Sequence, residues 1–312
     1  MRLRWPVSGI APILVLLALA VSPSACDSGD GGSGSADGGG DSRLTVVTSL
    51  GVFADFVREV AGDRADVFSL LPPGADPHTY EPTPSDIEAL ASAKIVFVNN
   101  TEPGVEGSIL DVIEANKGTA TKVVSFMRDI RRPVTVGANP HLWLEPTVAR
   151  QYAAIVADTL TSADRSNAAF YTANLEDYGN RLSQLDADIA AAVDLIPPED
   201  RKLVTVHDAF PHFARRYGLE IAGFLVAGAG EDPSPREIAE LTEAIEEDGV
   251  PAVFGEPQIG PETRLLEQIA DDSGVAVCTL YSDSLDDRTP SYIEMMRFNA
   301  DELLRCLGDQ RG

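Results

Sequence analysis

A strand-free stretch at 146–196 divides this chain of 312 residues into two similar parts. On either side of it, short runs of apolar and β-branched residues alternate with amphipathic stretches. Such alternation is typical of parallel sheets that are covered by helices. Inside the stretch, apolar residues recur three or four positions apart from Leu175 to Val193, which indicates a long helix. We therefore predict an α/β protein whose two lobes, each with a mostly parallel sheet, are joined by one long rigid helix.

The apolar runs and amphipathic stretches give the predicted elements of each lobe. In the first lobe we predict strands at 44–48, 67–71, 95–99 and 122–125, and helices at 53–60, 84–91 and 105–115. In the second lobe we predict strands at 203–206, 221–226, 253–255 and 275–280, and helices at 209–217, 235–247, 262–271 and 290–306. Ser85 and Ser234 are the predicted N-caps of two of these helices. The lobes are placed at 43–145 and 199–312, with a helical connector at 146–198.

The balance of charges excludes two classes of partner. The chain has 24 Lys and Arg against 49 Asp and Glu, a formal net charge of −25. A nucleic-acid-binding protein carries a basic face, and attachment to anionic lipid through charge needs clustered basic residues. We expect neither nucleic acid nor a polybasic membrane contact. Only 4 of the basic residues are Lys, which we interpret as the codon bias of a GC-rich genome, such as that of a GC-rich Gram-positive bacterium.

The first 26 residues resemble a bacterial export signal of the lipoprotein type. Arg2 and Arg4 precede an apolar run at 10–21 that is too short to span a bilayer comfortably. Small residues then lead to Cys26, which we predict to carry a lipid that anchors the chain to the membrane. The alternative is a cleaved signal with an incidental Cys. Residues 27–42 contain only Gly, Ser, Asp and Ala and are predicted to form a flexible tether.

Three of the four histidines stand in related surroundings. His78 and His141 each follow Asp-Pro or Asn-Pro and precede an aromatic residue and Glu-Pro, and His207 directly follows the predicted strand 203–206. Each is predicted to lie in a loop after a strand, at the sheet edge where open α/β folds bind ligands. Neutral imidazole is the commonest metal ligand among side chains. We therefore predict one metal site at these three residues, whereas His212 should face another side of its helix and serve a structural role.

A divalent ion is expected to take a carboxylate as well. Asp283 follows the last predicted strand of the second lobe, in a position equivalent to that of the histidines, and is the predicted fourth ligand. Glu81 and Glu145 lie nearer in sequence to ligand histidines, but each is followed by Pro. Both are predicted to support ligands from outside the coordination sphere.

Six motifs together resemble one family. The chain is similar to the zinc- and manganese-binding solute-binding proteins of bacterial ABC importers in ADPHTYEP (75–82), NPHLWLEP (139–146), VTVHDAFPHFARRYGL (204–219), EDPSPREIAEL (231–241), EPQIGP (256–261) and LYSDSLD (280–286). The resemblance implies one metal ion per chain in the interlobe cleft, with ligands at His78, His141, His207 and Asp283. It also implies an extracytoplasmic, membrane-anchored bacterial lipoprotein that is not an enzyme and that works with an ABC permease. We expect the chain to act as a monomer.

The identity of the metal and two other classes of function stay open at this stage. Three imidazoles and one carboxylate favour zinc over manganese, and His207 stands where some manganese-binding members have Glu. The chain lacks the His-rich loop of many zinc-binding members, which weakens the argument for zinc. A metal-binding surface adhesin is one alternative class. A secreted zinc hydrolase is the other, although Asp283 would close the open position that a zinc-bound water needs and no HExxH pair is present.

Protons should compete with the metal for the imidazoles. Ligand histidines bind in the neutral form, so the sequence predicts that up to three protons are taken up per metal released below about pH 6.5. Asp283 is expected to stay ionised over that range. Replacing His212 by Ala is expected to leave metal binding nearly unchanged.

Two cysteines of the second lobe are candidates for a disulfide. Cys278 lies on the last predicted strand and Cys306 near the end of the helix that should pack on that sheet. An exported protein meets an oxidising compartment. We therefore predict a Cys278–Cys306 disulfide, the alternative being two buried thiols.

Overall fold

Two four-stranded parallel sheets form the frame of the protein. The structure, a computed structural model, describes residues 43–100, 106–130, 139–228 and 231–308. The predicted signal, Cys26 and the tether at 27–42 lie outside these residues. Within the described ranges, no helix is both long and apolar enough to cross a bilayer.

The first sheet has the strand order β2-β1-β3-β4, and all its neighbouring strands are parallel. Its strands are β1 (Leu44–Thr48), β2 (Ala65–Ser69), β3 (Ile95–Val98) and β4 (Lys122–Ser125). The helices of this half are α1 (Gly51–Ala61), α2 (Pro84–Ser92), α3 (Gly107–Asn116) and the short α4 (Phe126–Asp129). The doubly wound order confirms the α/β class predicted from the sequence.

The strand-free stretch folds as two helices that pack on each other, α5 (Pro146–Ala163) and α6 (Ala168–Asp194). The helix α6 is the predicted long helix and contains the predicted apolar stripe, and α5 is a further helix of the predicted connector. The interruption is polar: Asp164 Oδ2 accepts hydrogen bonds from Asn167 Nδ2 at 2.6 Å and from the Tyr171 hydroxyl at 2.9 Å. Asp side chains compete in this way with the helical backbone pattern and favour helix ends.

The second sheet repeats the topology of the first, with the order β6-β5-β7-β8 and parallel pairing throughout. Its strands are β5 (Lys202–His207), β6 (Glu220–Val226), β7 (Ala252–Gly255) and β8 (Ala276–Thr279). Its helices are α7 (Pro211–Tyr217), α8 (Pro235–Glu247), α9 (Gly260–Ser273) and α10 (Tyr292–Leu307). Ser234 caps α8 as predicted, since its hydroxyl accepts from the Glu237 amide.

Both sheets bury one face in the same hydrophobic cluster, which we call the shared core. It runs from the first sheet through α1, α5, α6 and α10 to the second sheet. Because alternate residues of a strand face opposite sides, the central strands of each sheet also serve a second cluster. In β1, Val46 belongs to the shared core and Val47 packs with α2 and α3; in β7, Phe254 belongs to the shared core and Val253 packs with α8 and α9. The connector helices are therefore the middle layer of one continuous interior.

Two predicted details of the first lobe were wrong. The second strand begins at Ala65, two residues earlier than predicted, because it pairs along the whole length of β1. The N-cap of α2 is Thr83 rather than Ser85, with Pro84 at the first helical position and Asp86 Oδ2 accepting from the Thr83 amide at 2.6 Å. Pro is favoured at that first position because its missing N–H would have no helical partner there.

The structure joins Cys278 of β8 to Cys306 of α10 through a disulfide. Both cysteines are buried, and the bond closes a loop with a sequence separation of 28 residues. It ties the last helix to the edge strand of the second sheet.

Thiol counting on denatured, unreduced protein should find no reactive thiol from the second lobe. Replacing both cysteines by Ser should lower the free energy of unfolding by about 3–4 kcal/mol, because the unfolded chain then regains the freedom of the open loop. Urea unfolding of the double variant and the parent measures this difference. Two reactive thiols in addition to Cys26 would contradict the disulfide.

Candidate metal centre

Four predicted ligands from distant parts of the sequence meet at one point. His207 is the last residue of β5, Asp283 follows β8, and His78 lies in the loop between β2 and α2. His141 lies near the start of the described stretch 139–228, and among the described residues α4 lies between it and β4. His141 precedes a 3-10 turn at Leu142–Leu144.

The ligand atoms of these side chains are spaced like the corners of a coordination polyhedron. The Nε2 atoms of His141 and His207 are 3.3 Å apart. Asp283 Oδ1 lies 3.6 Å from His141 Nε2, and Asp283 Oδ2 lies 3.6 Å from His207 Nε2 and 3.9 Å from His78 Nε2. A tetrahedral zinc ion with bonds of about 2.0–2.1 Å separates its ligands by about 3.3–3.4 Å. The cluster therefore surrounds a space of the size of one metal ion.

Three of the polar atoms that face this space have no hydrogen-bond partner among the described residues. Asp283 is fully buried, and within the described residues neither of its oxygens has a hydrogen-bond partner; the same is true of His78 Nε2. A buried charge without a partner is strongly unfavourable. A bound cation would satisfy both carboxylate oxygens and the imidazole at once.

Two side chains outside the cluster fix how the rings are turned. Glu256 Oε1 lies 2.8 Å from His207 Nδ1, and Asn139 Oδ1 lies 3.0 Å from His141 Nδ1. Each oxygen accepts from Nδ1–H and leaves Nε2 unprotonated and directed at the other ligands, as is common for metal-binding histidines. Glu256 also accepts hydrogen bonds from Ser282 Oγ and Gln258 Nε2.

Sequence reasoning did not assign a role to Glu256, although it lies in one of the six motifs. The available signal was its position: it directly follows β7, beside β5, at the point where the strand order of the second sheet reverses. Ligand sites of open α/β sheets form at such points. Glu81, predicted to support a ligand, is exposed. Glu145, predicted to do the same, is paired with Arg215 and Thr147.

Burial and mutual charge give the four groups different affinities for protons. Burial and the His207 charge lower the pKa of His78 to about 4, and burial with the same charge holds the pKa of His141 well below its ordinary value. Burial alone would lower the pKa of His207, but the Glu256 charge and hydrogen bond, with Asp283, raise it to about 9. Burial raises the pKa of the Asp283 carboxyl to about 7, against the effect of the His207 charge.

His212 lies outside the ligand cluster, as predicted from its helical position. It is fully buried in α7, and its Nε2 lies 3.0 Å from the carbonyl oxygen of Asn139. Since a carbonyl only accepts, Nε2 carries the proton and donates it.

A model of the family "Zinc-uptake complex component A periplasmic" (ZnuA) matches residues 46–306. The chain belongs to the ZnuA family. Substrate-binding components of ABC transporters are not enzymes, so the predicted class is confirmed. The predicted extracytoplasmic, membrane-anchored location is confirmed as well, because the relatives described next are substrate-binding lipoproteins of this kind.

Relatives match the chain over nearly its whole length. The manganese-binding lipoprotein MntA of Halalkalibacterium halodurans is 30% identical, with 94% of this chain and 97% of its own length aligned. The manganese ABC transporter substrate-binding lipoprotein PsaA of Streptococcus anginosus is 29% identical, over 96% of this chain and 98% of its own length. Among solved structures, the periplasmic zinc-binding protein TroA of Treponema pallidum is 28% identical with a TM-score of 0.78, covering 85% of this chain and 99% of TroA.

Metal binding should release protons in a number that depends on pH. The pKa of His207 is raised to about 9 and that of Asp283 to about 7. Below pH 7 both groups therefore carry a proton that the ion must displace. Between pH 7 and 9 only His207 carries such a proton. Apparent affinity should therefore rise about tenfold per pH unit between pH 7 and 8, and more steeply below pH 7. Calorimetry in two buffers with different ionisation enthalpies counts the protons released. Release of three protons at pH 6 would support the sequence-based expectation instead.

Replacing Glu256 by Gln should weaken metal binding although no ligand is changed. The amide oxygen of Gln can still accept a hydrogen bond from His207 Nδ1. The substitution removes the negative charge, however, so affinity for the metal should fall by about 10- to 100-fold. The pKa of His207 should fall at the same time, which shifts the pH profile of binding. The exposed Glu81→Gln is the matched control and should bind like the parent. Equal binding by both variants would show that Glu256 plays no part.

Proposed function

We propose that this protein captures one divalent transition-metal ion, zinc in preference to manganese, and delivers it to the permease of an ABC importer. His78, His141, His207 and Asp283 are the proposed ligands. The observation that carries the proposal is the state of Asp283: a fully buried carboxylate, without a hydrogen-bond partner in the described residues, faces three imidazole nitrogens at 3.6–3.9 Å. A bound cation would satisfy this arrangement, because it would balance the buried charge and occupy the lone pairs of the imidazoles.

The donor set supports zinc. Three imidazoles and one carboxylate are donors that zinc binds with high affinity, and manganese follows far behind it in the general affinity order for such sites. The family description names zinc uptake, and TroA is named as a zinc-binding protein.

Manganese is the second candidate, and two observations favour it. PsaA and MntA, which align over almost the whole chain, are both named for manganese. Manganese prefers oxygen donors, and both oxygens of Asp283 lie within 3.9 Å of imidazole nitrogens, Oδ1 beside His141 and Oδ2 beside His78 and His207. A carboxylate that binds through both oxygens would raise the share of oxygen in the site.

The proposed mode of action is that of a tethered monomer. A lipid on Cys26 would hold the chain at the outer face of the membrane. The tether of 16 residues between Cys26 and Arg43 would give the folded part a reach of roughly 20–24 Å. This distance keeps the captured ion close to the permease.

Protein purified without chelator should contain one metal ion per chain, and competition titration should show tighter binding of zinc than of manganese. Replacing Asp283 by Asn should reduce affinity for both metals by at least about 100-fold, more than the loss expected for a supporting residue. The variant should also lose the rise in Tm that the metal gives the parent. The exposed Asp272→Asn is the matched control. Tighter binding of manganese would replace zinc in the proposal, and unchanged binding by Asp283→Asn would contradict the ligand set.

A further inference from the structure

The segment of residues 139–145, which we call the His141 segment, is anchored in both lobes. Asn99 Nδ2 of the first lobe donates to the carbonyl oxygen of Pro140 at 2.9 Å, and Trp143 packs on Phe53 of α1. Most of the segment's other polar contacts are with the second lobe. Asn139 Nδ2 donates to the carbonyl oxygen of Asp208 at 2.6 Å, and His212 Nε2 donates to the carbonyl oxygen of Asn139 at 3.0 Å. The same Asn139 side chain orients the His141 ring. Since Asp208 follows His207, Asn139 connects two of the proposed ligands directly.

Three more polar contacts hold the rest of this segment to the second lobe. Trp143 Nε1 donates to the carbonyl oxygen of Ser282 at 2.8 Å, and the Tyr292 hydroxyl donates to the carbonyl oxygen of Trp143 at 2.7 Å. The Glu145 carboxylate pairs with Arg215 Nη2 at 3.2 Å. Trp143, Ser282 and Tyr292 are fully buried. Separating the segment from the second lobe would leave buried donors and acceptors unsatisfied, which is unfavourable.

The segment that carries His78, residues 72–82, is held differently. The Gly74 N–H donates to the carbonyl oxygen of Leu285 and to Ser284 Oγ, both at 2.9 Å, from an exposed turn in which Gly74 has a φ of +75°. Contacts at such a position exchange easily with water. His78 is also the most exposed of the four ligands, with 13% of its side chain accessible against 4% for His141.

The spacing of the ligand atoms follows the same division. His141, His207 and Asp283 are separated by 3.3–3.6 Å, whereas His78 Nε2 lies 3.9 Å from Asp283. We infer that the site divides into three ligands and one: buried contacts hold His141, His207 and Asp283 as one preassembled unit, and the His78 segment opens to admit or release the ion. The inference rests on the proposed function and replaces the expectation, from sequence, of two ligands per lobe.

A preassembled three-ligand unit has a functional consequence. The ion would first bind three ligands that are already in place, so capture would cost little conformational entropy. Closure of the His78 segment then completes the coordination. On delivery, loss of this one ligand opens the shell without disturbing the buried contacts of the His141 segment.

Hydrogen exchange of the chelator-treated protein tests the division without any bound metal. Amides of the His141 segment should be protected to the same degree as those of β5, and amides of residues 72–82 should exchange at least about tenfold faster. Comparable fast exchange in both segments would overturn the inference. Because this measurement uses the metal-free protein, its outcome is independent of whether the proposed metal is bound.

A matched pair of ligand variants tests the same point through affinity. His78→Ala should keep saturable binding of one zinc ion, because three ligands remain assembled. His141→Ala should bind at least about tenfold more weakly than His78→Ala, since it removes a ligand from the preassembled unit. Equal losses in the two variants would overturn the inference. Failure of the parent protein to bind zinc or manganese would instead contradict the proposed function.

His212 is then a positioning residue, because it acts on His141 through the Asn139 carbonyl. His212→Phe removes the donor while it fills much of the space, and should weaken zinc binding by about 10-fold and speed exchange in the His141 segment. His212→Gln can restore a donor and should recover most of the affinity. This differs from the sequence-based expectation that His212 can be lost without effect. Unchanged exchange and affinity in His212→Phe would exclude the positioning role.

Discussion

The shared core is the constraint on which the rest of the structure depends. Each sheet places one face against α5 and α6, and the same buried cluster continues from β1 to α10. Neither sheet could separate from the connector without exposing aromatic side chains such as Tyr152 and Tyr178, both fully buried. Burial of apolar surface on this scale outweighs any single polar contact. The shared core thus holds the carboxyl ends of both sheets at a fixed separation. Side chains at the strand ends are therefore placed precisely relative to one another.

Parallel strand ends also explain why a site so rich in titratable groups can exist. His207 is the last residue of β5 and Glu256 directly follows the neighbouring strand β7, so the register of the sheet brings them into contact at 2.8 Å. Among the described residues, the Asp283 carboxylate has no hydrogen-bond partner. Glu256 and Asn139 support the His207 and His141 rings through their Nδ1 atoms, whereas the Asp283 carboxylate receives no such hydrogen bond within the described residues.

Much of the fold could be predicted because it depends on local pattern. The β-branched run at β1, the β4 strand and the Ser234 cap of α8 are visible in a few adjacent residues. The boundary between α5 and α6 at Asp164 could not be located within the predicted connector, because helical periodicity continues on both sides of it. The three histidines and Asp283 could be selected because each motif surrounds its own ligand. Glu256, Asn139 and His212 could not, since their roles arise from contacts between residues 49 to 73 positions apart.

Glu256 has a consequence for the charge that the interior can hold. Glu256 and Asp283 are both fully buried, and three neutral imidazoles add nothing to the sum. An ion of charge two bound there would balance the two carboxylates, whereas a cuprous ion would leave an excess negative charge and a ferric ion an excess positive one. A net charge in a medium of low polarity is costly. The proposed site would therefore favour a divalent ion through the charge of Glu256, a residue that is not a proposed ligand.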